Sequence, residues 1–306
     1  MYGRVGLAAL FQTIAALLPA PTPGPALPQL TAREKAALVV VSGLPAPRSV
    51  AGVIVRAYDR HAPRPRGALV FVDQEGGIAS AFDDLPPASP PATYADGGQA
   101  FAAGRATGRA LRREGVDVDL APVLDLAGGP LGSRHFRRPA FAVAFARGLA
   151  AAGVGACAKH FPGLGSARIS TDESPHVRAR LQPRELRGFD AAVQASVPCV
   201  MVSHAFYGPF GRWRASFSRH AYTLLRRRLG FDGVAITDSV SVFGSRWAVF
   251  SVRASIRAGA DLVLFTNGPD ARRAIRALMP FARRGLLDEH VARVLELRHA
   301  LSLTRP

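Results

Sequence analysis

Cysteine is nearly absent from this 306-residue chain, which has only Cys157 and Cys199. Neither residue belongs to a CxxC pair or to a cluster of metal ligands, so the sequence gives no support for a zinc site and we expect no metal. Each cysteine lies inside an apolar run that is typical of a strand. Cysteine in such a run usually behaves as a small hydrophobic residue, so we expect both to be buried and reduced.

Lysine is equally scarce and occurs only at Lys35 and Lys159, so arginine carries almost all of the formal net charge of +17. A charge of this size attracts anionic surfaces and polymers, and association with an anionic cell envelope is one expectation. The arginines are scattered and are not interleaved with aromatic residues, so we do not expect nucleic-acid binding. Solvated arginines on helix surfaces, reflecting a biased composition, are the other interpretation of the charge.

The sequence also lacks a phosphate-binding glycine loop of the P-loop type, any other cofactor motif and any internal repeat. No cofactor is therefore expected. Apolar residues make up 48% of the chain, which excludes a disordered or fibrous protein. One α/β barrel needs roughly 250 residues, so the length suits a single large domain.

The amino terminus differs from the rest of the chain. Arg4 precedes the mostly apolar run 5–18, and residues 19–28 form a proline-rich tether. This order is typical of an export signal, and the apolar run is too short for an ordinary membrane-spanning helix. We therefore expect residues 1–28 to be an export segment and tether, residues 29–306 to form one domain, and the protein to be extracellular or associated with the cell envelope. An amphipathic helix before a linker, with a cytoplasmic location, is the alternative.

Eight short apolar runs follow the tether, and several are continuous, as expected for parallel strands that are covered on both faces. They are residues 37–41, 51–55, 68–72, 118–124, 154–158, 199–202, 233–236 and 261–265. Helix-length segments alternate with the later runs and end the chain: 92–114, 140–152, 183–195, 220–229, 247–258, 269–284 and 288–301. This alternation predicts an α/β fold, a (β/α)8 barrel of the TIM type. The first two β/α units are expected to be irregular, because the connections 43–50 and 58–67 are short and rich in proline.

Polar side chains stand just after several of these runs. They are Asp73, Glu75, Asp125, Arg134, Lys159, His160, Ser203, His204 and Asp238. A barrel gathers the carboxyl ends of its strands around one pocket, so these side chains are expected to meet. Many hydrogen-bonding groups without a cofactor motif suit a polyhydroxylated ligand such as a sugar. Asp238, which follows the run 233–236 and Thr237, is the candidate nucleophile.

Six segments carry a family resemblance. They are VDQEGG (72–77), DLAPVLD (119–125), KHFPGLG (159–165), MVSHA (201–205), LGFDGVAITD (229–238) and AGADLVL (258–264). Together they resemble glycoside hydrolases of family 3, in the branch of single-domain bacterial β-N-acetylhexosaminidases, or β-N-acetylglucosaminidases, that recycle or trim peptidoglycan. The resemblance runs in order from about Leu30 to Leu301. KHFPG followed by a strand that ends in Thr-Asp is its most specific part.

The resemblance implies a retaining mechanism in which Asp238 attacks the anomeric carbon. Such a mechanism divides one displacement into two easier ones through a glycosyl-enzyme. The same match implies that Asp73, Lys159 and His160 hold sugar hydroxyls and that Arg134 binds near the same ring. Because His204 ends a strand, we expect it to line the pocket.

The general acid is the point where the sequence departs from the family pattern. The family branch carries KHFPGHG followed by a short loop with Asp-Ser-His, whose aspartate and histidine form the acid/base dyad. Here position 164 is leucine, the loop runs from Ser166 to His176, and Asp172 lies four residues before His176. His176 paired with Asp172 is the first candidate for the acid. Direct action of Asp172 or Glu173, or a loop with no competent acid, are the alternatives.

The expected protein is thus a retaining exo-glycoside hydrolase that removes β-linked N-acetylglucosamine, or a related β-hexosaminide, from cell-wall-derived glycans. We expect it to act as a monomer on a carbohydrate partner. A glycoside phosphorylase with the same site is an alternative, because a histidine acid/base does not repel phosphate. A catalytically impaired glycan-binding homologue is another, because the acid loop is altered.

Overall fold

The computed structural model describes residues 30–303, and its centre is a closed barrel of eight parallel strands. In chain order the strands are β1 (Val39–Ser42), β2 (Gly52–Ile54), β3 (Leu69–Val72), β4 (Val118–Asp119), β5 (Gly155–Phe161), β6 (Cys199–Val202), β7 (Val234–Ser239) and β8 (Leu262–Phe265). Each strand pairs with its neighbours in sequence, and β8 closes the ring against β1. The predicted eight-stranded barrel is confirmed.

Helices surround the barrel between the later strands. They are α1 (Ala32–Ala36), α2 (Gly97–Arg113), α3 (Pro139–Ala151), α4 (Pro183–Gln194), α5 (Arg219–Thr223), α6 (Ala248–Ala258), α7 (Gly268–Arg283) and α8 (Asp288–Leu303). A π-helical turn, Leu224–Arg228, continues α5. The connection from β2 to β3 has only the short 3-10 turn Ala57–Asp59, and the described segment between β1 and β2 has no helix. The predicted irregularity of the first two units is therefore confirmed.

Continuous apolar strands form the core, because both faces of a parallel barrel are covered. The valines of β1, Val39, Val40 and Val41, are all at most 1% exposed. Small residues allow the outer helices to approach one another. A Cβ at Gly104 in α2 would collide with the carbonyl oxygen of Phe145 in α3, so glycine permits this close crossing.

The two cysteines differ from the expectation in one respect. Cys157 on β5 and Cys199 on β6 are fully buried, as predicted, but they form a disulfide bond. The expectation that both are reduced is wrong. The reason is the register of the parallel pair, which places the two residues directly opposite each other with 4.3 Å between their Cα atoms. Their separation of 42 residues in the sequence does not reveal this register.

The proposed export segment and tether, residues 1–28, lie outside the described residues. Among residues 30–303, no helix combines the length and the apolar character needed to cross a membrane.

Candidate active site

The barrel brings the predicted polar residues to the carboxyl ends of its strands. Asp73 follows β3, Lys159 and His160 lie near the end of β5, His204 follows β6, and Asp238 lies near the end of β7. Lys159, His160, His204 and Asp238 are buried although they are polar. Buried polar groups need partners, and the contacts of each residue show how the site is held together.

Lys159 joins two acidic side chains that follow β3. Its Nζ lies 2.6 Å from Oδ1 of Asp73 and 2.6 Å from Oε1 of Glu75. Arg134, from the 3-10 turn Gly132–Arg134, contacts the same glutamate through Nε and an NH group at 2.7 Å each. Glu75 therefore bridges the lysine and the arginine that the sequence placed near the sugar ring.

The charged groups of this network determine one another's pKa values. Burial on its own would raise the pKa of Glu75, but Lys159 and Arg134 outweigh burial and hold this pKa at about 2. Burial likewise opposes the charge of Lys159, and Asp73 and Glu75 hold its pKa above the ordinary value. Both groups are thus ionised at neutral pH. The network presents fixed charges to a ligand without any change of protonation.

His160 is oriented by a buried carboxylate. Its Nδ1 lies 2.7 Å from Oδ2 of Asp125, and Oδ1 of Asp125 accepts a 2.6 Å hydrogen bond from the backbone N–H of Leu164. Asp125 therefore fixes both the imidazole and the start of the following loop. The other ring nitrogen, Nε2, makes no hydrogen bond to the described residues, so it is open to a ligand.

Asp238 is a buried carboxylate with several stabilising partners. Thr171 donates a hydrogen bond to its Oδ2 at 2.8 Å, and the N–H of Ser239 donates to its Oδ1 at 2.7 Å. Burial would raise the pKa of Asp238, but the nearby imidazoles of His204 and His160 and these two hydrogen bonds bring it below the usual range. The side chain is therefore held in the anionic form that a nucleophile needs.

The pKa of Asp172 is shifted in the opposite direction from the pKa of Asp238. The negative charge of Asp238 is the main cause of a raised pKa of the Asp172 carboxyl, although Asp172 is itself an exposed residue of the loop. The two carboxyls thus form a pair whose pKa values are displaced in opposite directions. Enzymes that need one proton donor and one anion use pairs of carboxyls with pKa values displaced in this way.

His176 does not pair with Asp172 as expected. Among the described residues, no hydrogen bond or ion pair joins the two side chains; Asp172 contacts Ser170, and the backbone N–H of His176 donates to Ser174. The imidazole instead lines a neighbouring cavity.

His204, which follows β6, lies close enough to Asp238 for the charge of that carboxylate to act on its pKa. Its Nδ1 lies 2.7 Å from the hydroxyl of Ser216, and its ring packs against Phe243 with 4.8 Å between centroids. Burial lowers the pKa of His204, and the nearby charge of Asp238 opposes this shift.

Three further residues support the site: Glu75 was expected at the strand ends without a specific role, and Thr171 and Glu185 were not among the predicted site residues. Glu75 bridges Lys159 and Arg134, Thr171 binds Asp238, and Glu185 in α4 accepts hydrogen bonds from the N–H groups of Leu126 and Gly165 at 3.1 and 2.7 Å. Glu75 stands two residues after Asp73, so its position after the strand was an available signal. No sequence signal marked Thr171 or Glu185, because their contacts depend on how the loops near them fold.

Within residues 30–303, no group of three or more histidine, cysteine, aspartate or glutamate side chains is arranged to hold a metal ion.

Comparison with known proteins agrees with this architecture. Residues 49–297 match the N-terminal domain of glycosyl hydrolase family 3. A β-hexosaminidase of Bordetella parapertussis is 36% identical over 238 residues, which are 69% of this chain and 67% of that protein. A β-hexosaminidase of Stenotrophomonas maltophilia is 34% identical over 242 residues, with 71% and 72% covered. The crystal structure of a β-N-acetylhexosaminidase from Beutenbergia cavernae matches with a TM-score of 0.78 at 25% identity, covering 88% of this chain and 98% of that one. The chain therefore belongs to glycosyl hydrolase family 3 and is a glycosidase.

Proposed function

We propose that this protein is a retaining exo-glycoside hydrolase that removes β-linked N-acetylglucosamine, or a related β-hexosaminide, from cell-wall-derived glycans. The similarity to β-hexosaminidases supports the choice of sugar. The observation that carries the mechanism is the pair Asp238 and Asp172, whose carboxyl pKa values are displaced in opposite directions. Retaining hydrolysis in its usual form uses one ionised and one protonated carboxyl beside the same bond.

In the proposed first step, Asp238 attacks the anomeric carbon while Asp172 gives its proton to the glycosidic oxygen. The bond from the anomeric carbon to that oxygen breaks, and the sugar becomes an ester of Asp238. Loss of the negative charge on Asp238 removes the main cause of the raised Asp172 pKa. Asp172 is then a carboxylate and takes a proton from the water that attacks the same carbon. The ester bond from that carbon to Asp238 breaks, which restores the Asp238 carboxylate and releases the sugar with its β configuration.

Asp73, Lys159, His160 and Arg134 are proposed to hold the hydroxyl groups of the sugar. Asp73 suits this role because its side chain is 47% exposed while Lys159, which fixes it, is 2% exposed. A half-exposed carboxylate on a rigid, fully charged support can accept hydrogen bonds from hydroxyls without first being ordered. His204 is proposed to line the same pocket on the side of Asp238.

We propose Asp172 as the acid instead of His176 because of where the two residues lie. Asp172 interacts with the Asp238 charge, whereas His176 contributes to a separate cavity wall. His176 remains the alternative acid, because a rearrangement of the loop with substrate bound would bring it closer.

We also propose that the protein is exported. The Cys157–Cys199 disulfide supports this location, because disulfide bonds persist mainly in oxidising compartments. The amino-terminal order of Arg4, an apolar run and a proline-rich tether supports it independently. Recovery of a mature amino terminus near the tether from the envelope or medium of the native host is expected, and a full-length cytosolic protein would contradict export.

The hydrolase proposal is tested with a panel of aryl β-glycosides, in buffers with and without phosphate. We expect release of phenol from the N-acetylglucosaminide, and the first sugar product observed by proton NMR should be the β anomer. A sugar phosphate formed only with phosphate would identify a phosphorylase instead. Sugar affinity without turnover of any glycoside would identify an impaired homologue.

A further inference from the structure

A cavity of about 500 Å³ adjoins the proposed catalytic centre, and neither Asp238 nor Asp172 is among its lining residues. Two of its wall residues, Pro175 and His176, belong to the loop that carries Asp172. Phe243 comes from the 3-10 turn Val240–Phe243, which directly follows Asp238 and Ser239, and its ring packs on His204. The cavity is therefore bounded by the segment after the nucleophile and by the loop of the acid.

This position identifies the part of a substrate that the cavity faces. The acid must reach the oxygen that joins the sugar to its leaving group, so the leaving group lies beside the acid loop. Asp172 and the wall residues Pro175 and His176 are within four residues of one another in that loop. A leaving group that extends from the glycosidic oxygen along the loop enters the cavity.

The walls offer flat aromatic surfaces. Trp213 and Trp247 line the cavity and are 43% and 46% exposed, and Phe250 is 43% exposed. The chain has only two tryptophans, and both are in this one place. Exposed indole rings in a concave site stack well on the apolar face of a sugar or aryl ring.

The walls also carry positive charge without a matching negative charge. Arg212, Arg214 and Arg246 line the cavity, and none of its lining residues is acidic. In the described part of the chain, none of the ion pairs involves these three arginines. The cavity is thus a concentrated site for an anion.

Arg214 is the most restricted of the three arginines. Its guanidinium lies 4.4 Å from the ring centres of both Phe206 and Phe243 and donates a hydrogen bond to the carbonyl oxygen of Pro175. Partial burial lowers its pKa to about 10. A cation that is partly removed from water with no carboxylate partner is unfavourable, and an anionic ligand offsets this cost.

We propose that this cavity is the leaving-group subsite and that it takes an aglycone with a flat ring face and a carboxylate. The ring stacks on Trp213 or Trp247, and the carboxylate pairs with Arg246 and Arg214. The assignment to a leaving group rests on the proposed glycosidase function of Asp238 and Asp172. The preference for a carboxylate rests only on the cavity itself.

Kinetics with a matched pair of substrates test the subsite. The pair is the 4-carboxyphenyl and the 4-carbamoylphenyl β-N-acetylglucosaminide, which have nearly the same shape and differ in charge. We expect wild-type kcat/KM to favour the carboxylate by roughly tenfold, the usual worth of a charge-assisted hydrogen bond. Arg246→Gln should strongly reduce this preference by lowering kcat/KM for the carboxylate substrate more than kcat/KM for the carbamoyl substrate, while Arg246→Lys should keep more of it.

Arg276→Gln is the control for the loss of one positive charge. Arg276 is exposed and lines a different groove, with Arg33 and Arg48. This variant should retain the full preference for the carboxylate. Equal kcat/KM for the two substrates in the wild type, or an equal loss of preference in Arg276→Gln and Arg246→Gln, would overturn the proposal.

Tryptophan fluorescence separates this proposal from the catalytic one. The sulfur-linked analogues of the same two glycosides resist hydrolysis, and both tryptophans report on this cavity alone. Quenching with a Kd roughly tenfold lower for the carboxylate than for the carboxamide, lost in Arg246→Gln, would support the subsite even if no glycoside is hydrolysed. Equal quenching by both analogues would overturn the subsite even if hydrolysis is rapid.

Discussion

The hydroxyl of Thr171 donates a 2.8 Å hydrogen bond to Oδ2 of Asp238. Thr171 belongs to the altered loop and directly precedes Asp172, whereas Asp238 lies near the end of β7, and both Thr171 and Asp238 are buried. The bond fixes the loop against the proposed nucleophile. It therefore also keeps Asp172 within the field of the Asp238 charge, the largest cause of its raised pKa. A loop of unusual length and sequence thus still places a carboxyl next to the nucleophile.

Thr171→Val should remove this bond while preserving the shape of the side chain. We expect kcat to fall by about 10- to 100-fold, the worth of one hydrogen bond to a charged group. The bond lowers the pKa of Asp238, so its loss should raise that pKa and move the acidic limb of the pH–rate profile to higher pH. Thr171→Ser, which keeps the hydroxyl, is the control. A valine variant with the wild-type rate and profile would show that the bond has no catalytic role.

Asp238→Asn should abolish turnover while leaving the fold and sugar binding in place. The amide has nearly the same shape, but it has a single acceptor oxygen and so keeps only one of the hydrogen bonds from Thr171 and Ser239, and it cannot form the glycosyl ester. Mechanism-based labelling with a slow fluorinated glycoside, followed by peptide mapping, should place the label on Asp238. A label on another residue would remove the assignment, and circular dichroism of the variant checks that it is folded.

The barrel was predictable from the sequence because its strands are buried on both faces. A run such as 199–202 is apolar at every position, and the structure has a strand with the same bounds. Prediction failed where neighbours in space decide the outcome. The register of β5 against β6 brings Cys157 to Cys199, and no local pattern encodes the register between two parallel strands.

The residues of the candidate site at the strand ends were predictable, and the residues of the 166–176 loop were not. Asp73, Lys159 and Asp238 each end an apolar run, so their convergence followed from the topology of a barrel. No such rule predicts the path of the 166–176 loop, because this path depends on tertiary contacts such as the contact of Thr171 with Asp238. The family resemblance paired Asp172 with His176, whereas no hydrogen bond or ion pair joins their side chains in the described residues.

The identity of the acid is tested by comparing leaving groups. Asp172→Ala should slow hydrolysis of substrates with poor leaving groups by about 10²–10⁴-fold, the usual worth of positioned proton transfer. Activated leaving groups need little protonation, so the first step on those substrates should be nearly normal. Azide should then accelerate turnover, because it attacks the glycosyl-enzyme without needing a base.

His176→Ala is the matched comparison for Asp172→Ala within the same loop. If Asp172 is the acid, the histidine variant should show an equal, modest change across all leaving groups, since His176 only lines the neighbouring cavity. The reverse result, with a steep dependence on the leaving group and azide rescue in His176→Ala alone, would assign the acid to His176. The basic limb of the pH–rate profile should disappear in whichever variant lacks the acid.

Glu185 links the acid loop to the stability of the barrel. Its carboxylate is fully buried and accepts hydrogen bonds from Leu126 and Gly165. Burial, with a contribution from the nearby charge of Asp125, raises the pKa of Glu185 from 4.5 to about 7. The native protein therefore holds a proton at this site over a pH range in which the unfolded chain has already released it.

Glu185→Gln should make the free energy of unfolding less dependent on pH. Because the native pKa is the higher one, stability from this site is present below about pH 4.5 and is lost as the pH rises towards about 7. The glutamine oxygen can accept the same two hydrogen bonds and never ionises. The variant should therefore gain up to about 3 kcal/mol relative to the wild type between pH 4.5 and pH 8. Urea denaturation at these two pH values measures the change, with Glu173→Gln, an exposed loop glutamate, as the control. Parallel stability curves for Glu185→Gln and the wild type would mean that Glu185 is ionised in the native protein throughout this range.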